Sequence, residues 1–119
     1  MKITKLDNKN IVIITADEIV IKNGQTTLDL IMSARYDSNC SDIIIKKENI
    51  DESFFDLRTG FAGEIMQKFT NYRFRVAIVG DFSMYTSKNL KDFLYESNQG
   101  NAVFFVADVD EAIEKLEQN

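Results

Sequence analysis

With 119 residues, the chain has the length of one domain that can bury its own core, so we expect a single domain over residues 1–119. The formal net charge of −5 argues against a nucleic-acid-binding protein, because such proteins neutralise phosphates with clustered lysine and arginine side chains. No apolar run is long enough to cross a membrane, and the N-terminal sequence MKITKLDNKN lacks the apolar stretch of a signal peptide. We therefore expect a cytoplasmic protein without a membrane segment.

Histidine is absent and cysteine occurs once, at Cys40. The absence of histidine excludes Ser-His and Cys-His nucleophile pairs and every histidine-ligated metal site. A single cysteine permits neither an internal disulfide nor a cysteine-cluster zinc site. We therefore predict no metal site, no cofactor and no catalytic residue of these kinds.

The N-terminal third begins with two short runs rich in β-branched residues, Lys2–Asp7 and Asn10–Thr15, which predict a β-hairpin around the turn sequence DNKN. A further short strand is expected at Glu18–Lys22. The sequence NGQTTLDLIMSARY then predicts a helix, because apolar residues recur three or four positions apart. This apolar stripe consists of Leu28, Ile31, Met32 and Tyr36.

The rest of the chain alternates between strand and helix patterns. Three compact apolar runs, Asp42–Lys46, Phe74–Gly80 and Asn101–Ala107, are typical of strands covered on both faces. Each is followed by a helical pattern, and the apolar stripes of these helices contain Phe61, Ile65, Met66 and Phe69, then Leu90, Phe93 and Leu94, and finally Val109, Ala112, Ile113 and Leu116. We therefore predict an α/β fold in which an N-terminal hairpin precedes alternating helices and mainly parallel strands, forming one mixed sheet covered by helices.

A ligand site in such a sheet is expected at the carboxyl ends of the strands. Two segments reach that edge, Glu48–Gly63 and Asp81–Lys88, and they face each other if their strands are neighbours. Arginine suits phosphate or carboxylate groups, and hydroxyl groups at a helix start can hold an anion. The candidate ligand-binding residues are Asp56, Arg58, Thr59, Asp81, Ser83 and Ser87.

Each candidate also has a structural interpretation. Arg58 can pair with Asp56, Asp81 or Glu64, and Ser87 suits a helix N-cap. The small residues Gly60, Ala62 and Gly63 can permit close packing of a helix on the sheet. Asp56 and Asp81 can alternatively converge to bind a hard cation or share a proton. Neither the dinucleotide-binding nor the P-loop glycine motif occurs, so nucleotide binding by those routes is unsupported.

Three long runs, ESFFDLRTGFAGEIMQKF, VAIVGDFSMYTSKNLKDFLYESN and VFFVADVDEAIEKL, resemble the bacterial family known as domain of unknown function 4180. The resemblance extends from Ile11 to Leu116 and implies a small cytoplasmic bacterial protein. The order of elements is also similar to STAS domains, the fold of anti-sigma-factor antagonists. In those antagonists a phosphorylated serine at a helix start controls binding to a partner kinase, and the corresponding residue here is Ser53. The Asp-Ser-Ser-Gly signature is absent, since Glu52 and Phe54 flank Ser53.

The leading hypothesis is a non-enzymatic regulatory module that binds a protein partner or a small anion through residues 51–63 and 81–88. The alternative is a small enzyme in which Asp56, Glu64 or Asp81 supplies acid–base chemistry and Arg58 acts as an anion clamp. A third possibility is a homodimer formed through exposed apolar residues such as Phe54 or Tyr85.

Overall fold

A computed structural model describes residues 1–118 and contains one five-stranded mixed sheet. The strands lie in chain order across the sheet, β1 antiparallel to β2 and the other neighbours parallel. Their bounds are β1 Lys2–Lys5, β2 Ile11–Thr15, β3 Asp42–Lys46, β4 Arg75–Val79 and β5 Val103–Val106. The predicted fold class is therefore confirmed.

Four α-helices connect or follow the parallel strands: α1 Gly24–Ser38, α2 Phe61–Asn71, α3 Lys88–Gln99 and α4 Val109–Glu117. The side chains of Asn23, Ser87 and Asp108 cap α1, α3 and α4 by accepting backbone N–H groups of the first turn. Three short 3₁₀ turns, Lys47–Asn49, Glu52–Phe55 and Leu57–Thr59, fill the connection between β3 and α2. Within residues 1–118, no helix is both long and apolar enough to cross a bilayer.

The two faces of the sheet are covered by different helices, which makes three layers. On one face, alternate strand residues such as Val12, Ile43 and Val76 form the larger core, to which α1, α2 and α3 contribute buried side chains. On the other face, Ile44, Phe104 and their neighbours pack against α4 alone. The helices thus leave the carboxyl ends of β3, β4 and β5 on one edge of the molecule.

Two predictions for the N-terminal third are wrong. The stripe assigned to α1 matches its buried face only at Ile31: Tyr36 is 90% exposed and Met32 38% exposed. The buried face consists of Thr27, Leu30, Ile31 and Ala34. The strand predicted at Glu18–Lys22 is reduced to a single bridge between Ile21 and Ile50. Within this segment, only the backbone of Val20 and Ile21 forms hydrogen bonds with the backbone groups of Asn49 and Asp51, which is too short a stretch for a strand.

A buried ion pair joins the sheet to the end of α4. Asp42 and Arg75 are register partners on β3 and β4, and their side chains form two hydrogen bonds of 3.1 and 2.7 Å. Arg75 also donates to the main-chain carbonyl of Leu116 in the last turn of α4. A guanidinium at this position satisfies both the buried carboxylate and the negative end of the helix dipole. Asp42 is 5% exposed, so Arg75 takes the place of water as the partner of its carboxylate.

We expect Arg75→Ala to lower the free energy of unfolding by about 3 kcal/mol, because the substitution leaves the Asp42 carboxylate buried without a countercharge. Urea unfolding followed by circular dichroism measures the loss. The double variant Asp42→Leu/Arg75→Met removes both charges and should recover most of it. A double variant no more stable than Arg75→Ala would contradict this account.

The outer edge of β5 is closed by one side chain of α3. The Asn98 amide donates to the Phe105 carbonyl at 3.1 Å and accepts from the Phe105 N–H at 2.7 Å. Both backbone groups of Phe105 are therefore paired although β5 is the last strand of the sheet. An open strand edge is a template for association with other chains. The contact with Asn98 reduces the number of unpaired backbone groups on the β5 edge.

Asn98→Ala should destabilise the protein by about 2 kcal/mol, since it leaves a backbone donor and acceptor without partners. It should also increase self-association, which light scattering detects. Asn98→Asp is the matched control, because a carboxylate still accepts from the Phe105 N–H but cannot donate to its carbonyl. An alanine variant as stable and as monodisperse as wild type would refute the role assigned to Asn98.

Candidate functional site

The two predicted segments emerge from neighbouring strands and touch each other. β3 pairs with β4 over five residues, so the chain that follows each strand reaches the same edge. The rings of Phe55 and Tyr85 stack with centroids 5.0 Å apart and an interplanar angle of 16°. The Tyr85 hydroxyl donates to the Glu52 carboxylate at 2.8 Å. These contacts join residues 51–60 and 81–87 into one surface, which we call the carboxyl edge.

Lys47 lies beneath this contact, and sequence reasoning did not identify it. Its ammonium group lies 5.4 Å from the ring centroid of Phe55 and 5.2 Å from that of Tyr85, with Glu52 at 3.5 Å. Only 11% of the Lys47 side chain is exposed. Burial by itself lowers the pKa of Lys47, but hydrogen bonding and charge attraction from Tyr85 and Glu52 outweigh it and raise the pKa. Lys47 therefore stays charged and fixes the aromatic pair by cation–π attraction.

Gly80 is required where β4 ends because Lys47 passes over it. A Cβ atom built at Gly80 would lie 2.7 Å from the Lys47 Cβ, closer than two carbon atoms can approach. The glycine therefore gives the lysine stem room to reach the rings. The glycine at the end of this strand is visible in the sequence, but only the structure shows that it makes room for the Lys47 side chain.

Arg58 is paired with Asp56 and strongly exposed. Its Nε and Nη2 atoms each donate to one Asp56 carboxylate oxygen at 3.0 Å, and 91% of the Arg58 side chain is exposed. The hydrogen bonds from the Arg58 side chain are the main cause of the lowered pKa of Asp56. Of the partners considered from sequence, the structure selects Asp56. The pair presents a neutralised, pre-oriented guanidinium at the surface.

Thr59 serves the local backbone. Its hydroxyl bonds to the carbonyl groups of Ser53 and Asp56 at 3.0 and 2.8 Å, and it accepts the N–H of Phe61 at 3.1 Å. The following residue, Gly60, has φ of 75°, a left-handed conformation that favours glycine. Gly63 faces open space, so close packing on the sheet explains Ala62 but not Gly63.

The second segment supplies turn and cap residues. The Asp81 carboxylate accepts the Ser83 N–H at 2.9 Å, and the Ser87 hydroxyl accepts the Leu90 N–H at 3.4 Å as the N-cap of α3. All three predicted candidates, Asp81, Ser83 and Ser87, are exposed. Hydrogen bonding by Ser83 lowers the pKa of Asp81, and the nearby charge of Lys47 lowers it further.

Ser53 and Phe54 are neighbours in the 3₁₀ turn Glu52–Phe55 but differ in exposure. The Ser53 hydroxyl donates to Asp51 at 2.7 Å and is half-buried, beside the exposed carboxylate of Glu52. Phe54 is only 1% exposed, so the expectation that it forms a homodimer contact is wrong. Its ring instead packs edge-on against Phe55 and Phe61 within the core.

The catalytic alternative needs a carboxyl group whose pKa is raised. The pKa of Asp56 and that of Asp81 are both lowered, because each carboxylate accepts hydrogen bonds from a neighbour two residues away. Glu64 lies exposed on α2 beside the start of α1, where a Cβ at Gly24 would approach its carboxylate. Within residues 1–118, no three acidic, cysteine or histidine side chains are grouped to hold a metal ion.

The chain has a STAS-like α/β fold. A solved structure from Thermotoga maritima, described as "a putative anti-sigma factor antagonist", is similar with a TM-score of 0.53 and 15% sequence identity. The match covers 98% of this chain and 93% of that one. The chain belongs to the family described as domain of unknown function (DUF4180), whose model matches residues 6–116. No curated protein matches the chain.

The capping carboxylates predict how stability depends on pH. Because folding lowers the pKa of Asp56 and Asp81 below the ordinary value of 3.8, folding favours their ionised forms. This contribution is present above pH 3.8 and is lost as the pH falls through the lowered values. The variant Asp56→Asn/Asp81→Asn should therefore lose less stability than wild type between about pH 6 and about pH 3 in urea unfolding. Equal losses would contradict the assignment.

Proposed function

We propose that this protein is a regulatory binding module that recognises a protein partner through the carboxyl edge, in which Asp56, Arg58 and Thr59 lie on one segment and Asp81, Ser83 and Ser87 on the other. The observation that carries the proposal is the packed junction between these segments. The stacking of Phe55 on Tyr85 and the hydrogen bond from Tyr85 to Glu52 hold the two exposed segments in one arrangement. Pre-organisation of this kind reduces the entropy lost when a partner binds.

Arg58 is the side chain best placed to contribute binding energy. Its guanidinium is 91% exposed while Asp56 holds its orientation through two hydrogen bonds. Arginine is enriched at interface hot spots because its planar group stacks and forms several hydrogen bonds. Asp56 already neutralises it, which supports a protein surface as the partner more than a small free anion.

The overall likeness to a STAS-like structure supports a binding role at the level of fold. The similar protein carries the description of an antagonist of an anti-sigma factor, that is, of a protein that acts on another protein. At 15% identity the likeness extends to the fold alone. The proposal for a regulatory role therefore rests on the carboxyl edge, whereas the cytoplasmic location and the phosphorylation of Ser53 stay predictions.

A photo-crosslinker can locate the partner surface. We expect benzoylphenylalanine at Met84, which is 64% exposed on the connection between β4 and α3, to capture one protein in cells of the host. The same group at the exposed Tyr36 on α1 is the matched aromatic control. Mass spectrometry identifies the captured protein, and the purified pair is then compared by titration calorimetry.

Arg58→Ala should weaken binding of the purified partner by about fivefold or more, the loss expected of a hot-spot residue. Arg73→Ala is the matched control, because Arg73 is also exposed but precedes β4 at the opposite end of the sheet. Its left-handed φ of 58° is equally costly for arginine and alanine. Equal affinities of the two variants, or capture only from position 36, would refute the proposed surface.

A further inference from the structure

An open groove of about 620 Å³ lies next to the carboxyl edge, between the end of β4 and the start of α4. It belongs to the same structure as the proposed binding surface, since the ring of Phe82 packs both on Phe55 and on Phe105 at centroid distances of 5.9 and 5.5 Å. The groove is lined by Glu48, Gly80, Asp81, Phe82, Phe105, Val106, Ala107 and Glu111.

The charged side chains that line the groove are all acidic. Three carboxylates, those of Glu48, Asp81 and Glu111, line it, and within residues 1–118 no lysine or arginine does so. Lys47 precedes Glu48, and its ammonium group lies against the rings of Phe55 and Tyr85, from where its charge also acts on Asp81. The groove therefore repels anions and attracts cationic groups.

The lining is also partly apolar. Phe82 is half-buried, Ala107 is exposed, and the ends of Phe105 and Val106 complete the floor. A lysine or arginine side chain has an aliphatic stem and a charged head, so it can lie on such a floor while its head pairs with a carboxylate at the rim. A purely polar cation would leave the apolar floor without a contact.

We propose that this groove, the acidic groove, binds a basic segment of the protein partner in which lysine or arginine side chains alternate with apolar ones. The inference rests on the proposed function and names the chemistry of the partner. The rim acids Glu48, Asp81 and Glu111 attract the charged heads, and Phe82 and Ala107 receive the apolar parts. The continuity of Phe82 with Phe55 lets one partner contact the acidic groove and the carboxyl edge together.

The probe for a first test is an acetylated hexapeptide of alternating lysine and leucine, titrated into the full-length, ¹⁵N-labelled protein at low salt. We expect saturable amide shifts at Phe82, Ala107 and Glu111. The acidic counterpart, alternating glutamate and leucine, should cause none. Shifts that scatter over all exposed carboxylates would overturn the proposal. Equal binding by a hexapeptide of alternating lysine and serine, which keeps the charges but lacks the apolar side chains, would overturn it too.

Matched pairs of variants distinguish binding in the groove from a general effect of the net charge of the protein. Glu48→Gln/Glu111→Gln should lower the affinity for the hexapeptide by about threefold to tenfold, because two solvent-screened ion pairs are lost. Glu96→Gln/Glu114→Gln makes the same change in net charge at exposed positions outside the groove lining and should leave the affinity unchanged. Equal weakening by both pairs would reject the groove.

The outcome is independent of the Arg58 experiment. If the captured partner binds the Glu48→Gln/Glu111→Gln variant as tightly as wild type, the acidic groove is rejected while the proposed function stands. If the hexapeptide causes the expected amide shifts but the crosslinker at position 84 captures no protein, the proposed function of the carboxyl edge is rejected. The binding of basic segments by the acidic groove then still stands.

Discussion

The arrangement of the carboxyl edge depends on the contact of Lys47 with Phe55 and Tyr85. A single ammonium group lies against two stacked rings, and the Glu52 carboxylate bonds both the ammonium and the tyrosine hydroxyl. Together with the packing of Phe82 on Phe55, this contact joins the chain that leaves β3 to the chain that leaves β4. Cation–π attraction and stacking together hold them in one conformation.

Two neighbouring surfaces of different electrostatic character result from this junction. On the carboxyl edge, the charge of Arg58 is balanced by Asp56, so that surface can offer directed hydrogen bonds without a strong field. In the acidic groove the carboxylates have no lysine or arginine among the lining residues described by the structure, and the field attracts cations. Phe82 joins the two, because its ring touches aromatic residues of both.

Much of the fold was predictable because strands and helices repeat their apolar residues with different periods. The runs at Asp42–Lys46 and Phe74–Gly80 became β3 and β4, and their adjacency brought the candidate segments together. α1 was misread because its buried face includes Thr27, whose hydroxyl bonds to the Asn23 carbonyl, while Tyr36 is exposed. Hydropathy cannot distinguish a threonine that satisfies its own polar group from one that faces water.

The sequence by itself determined the order of elements, the parallel sheet and the edge at which polar residues accumulate, because each of these follows from local periodicity and chain connectivity. Only the tertiary structure decided which side chains come together there. Lys47 reads as a solvated lysine at a strand end, yet it is buried under two rings that follow it by 8 and 38 positions (55 − 47 and 85 − 47). Such partnerships depend on side-chain distances between segments remote in the chain, which no local pattern encodes.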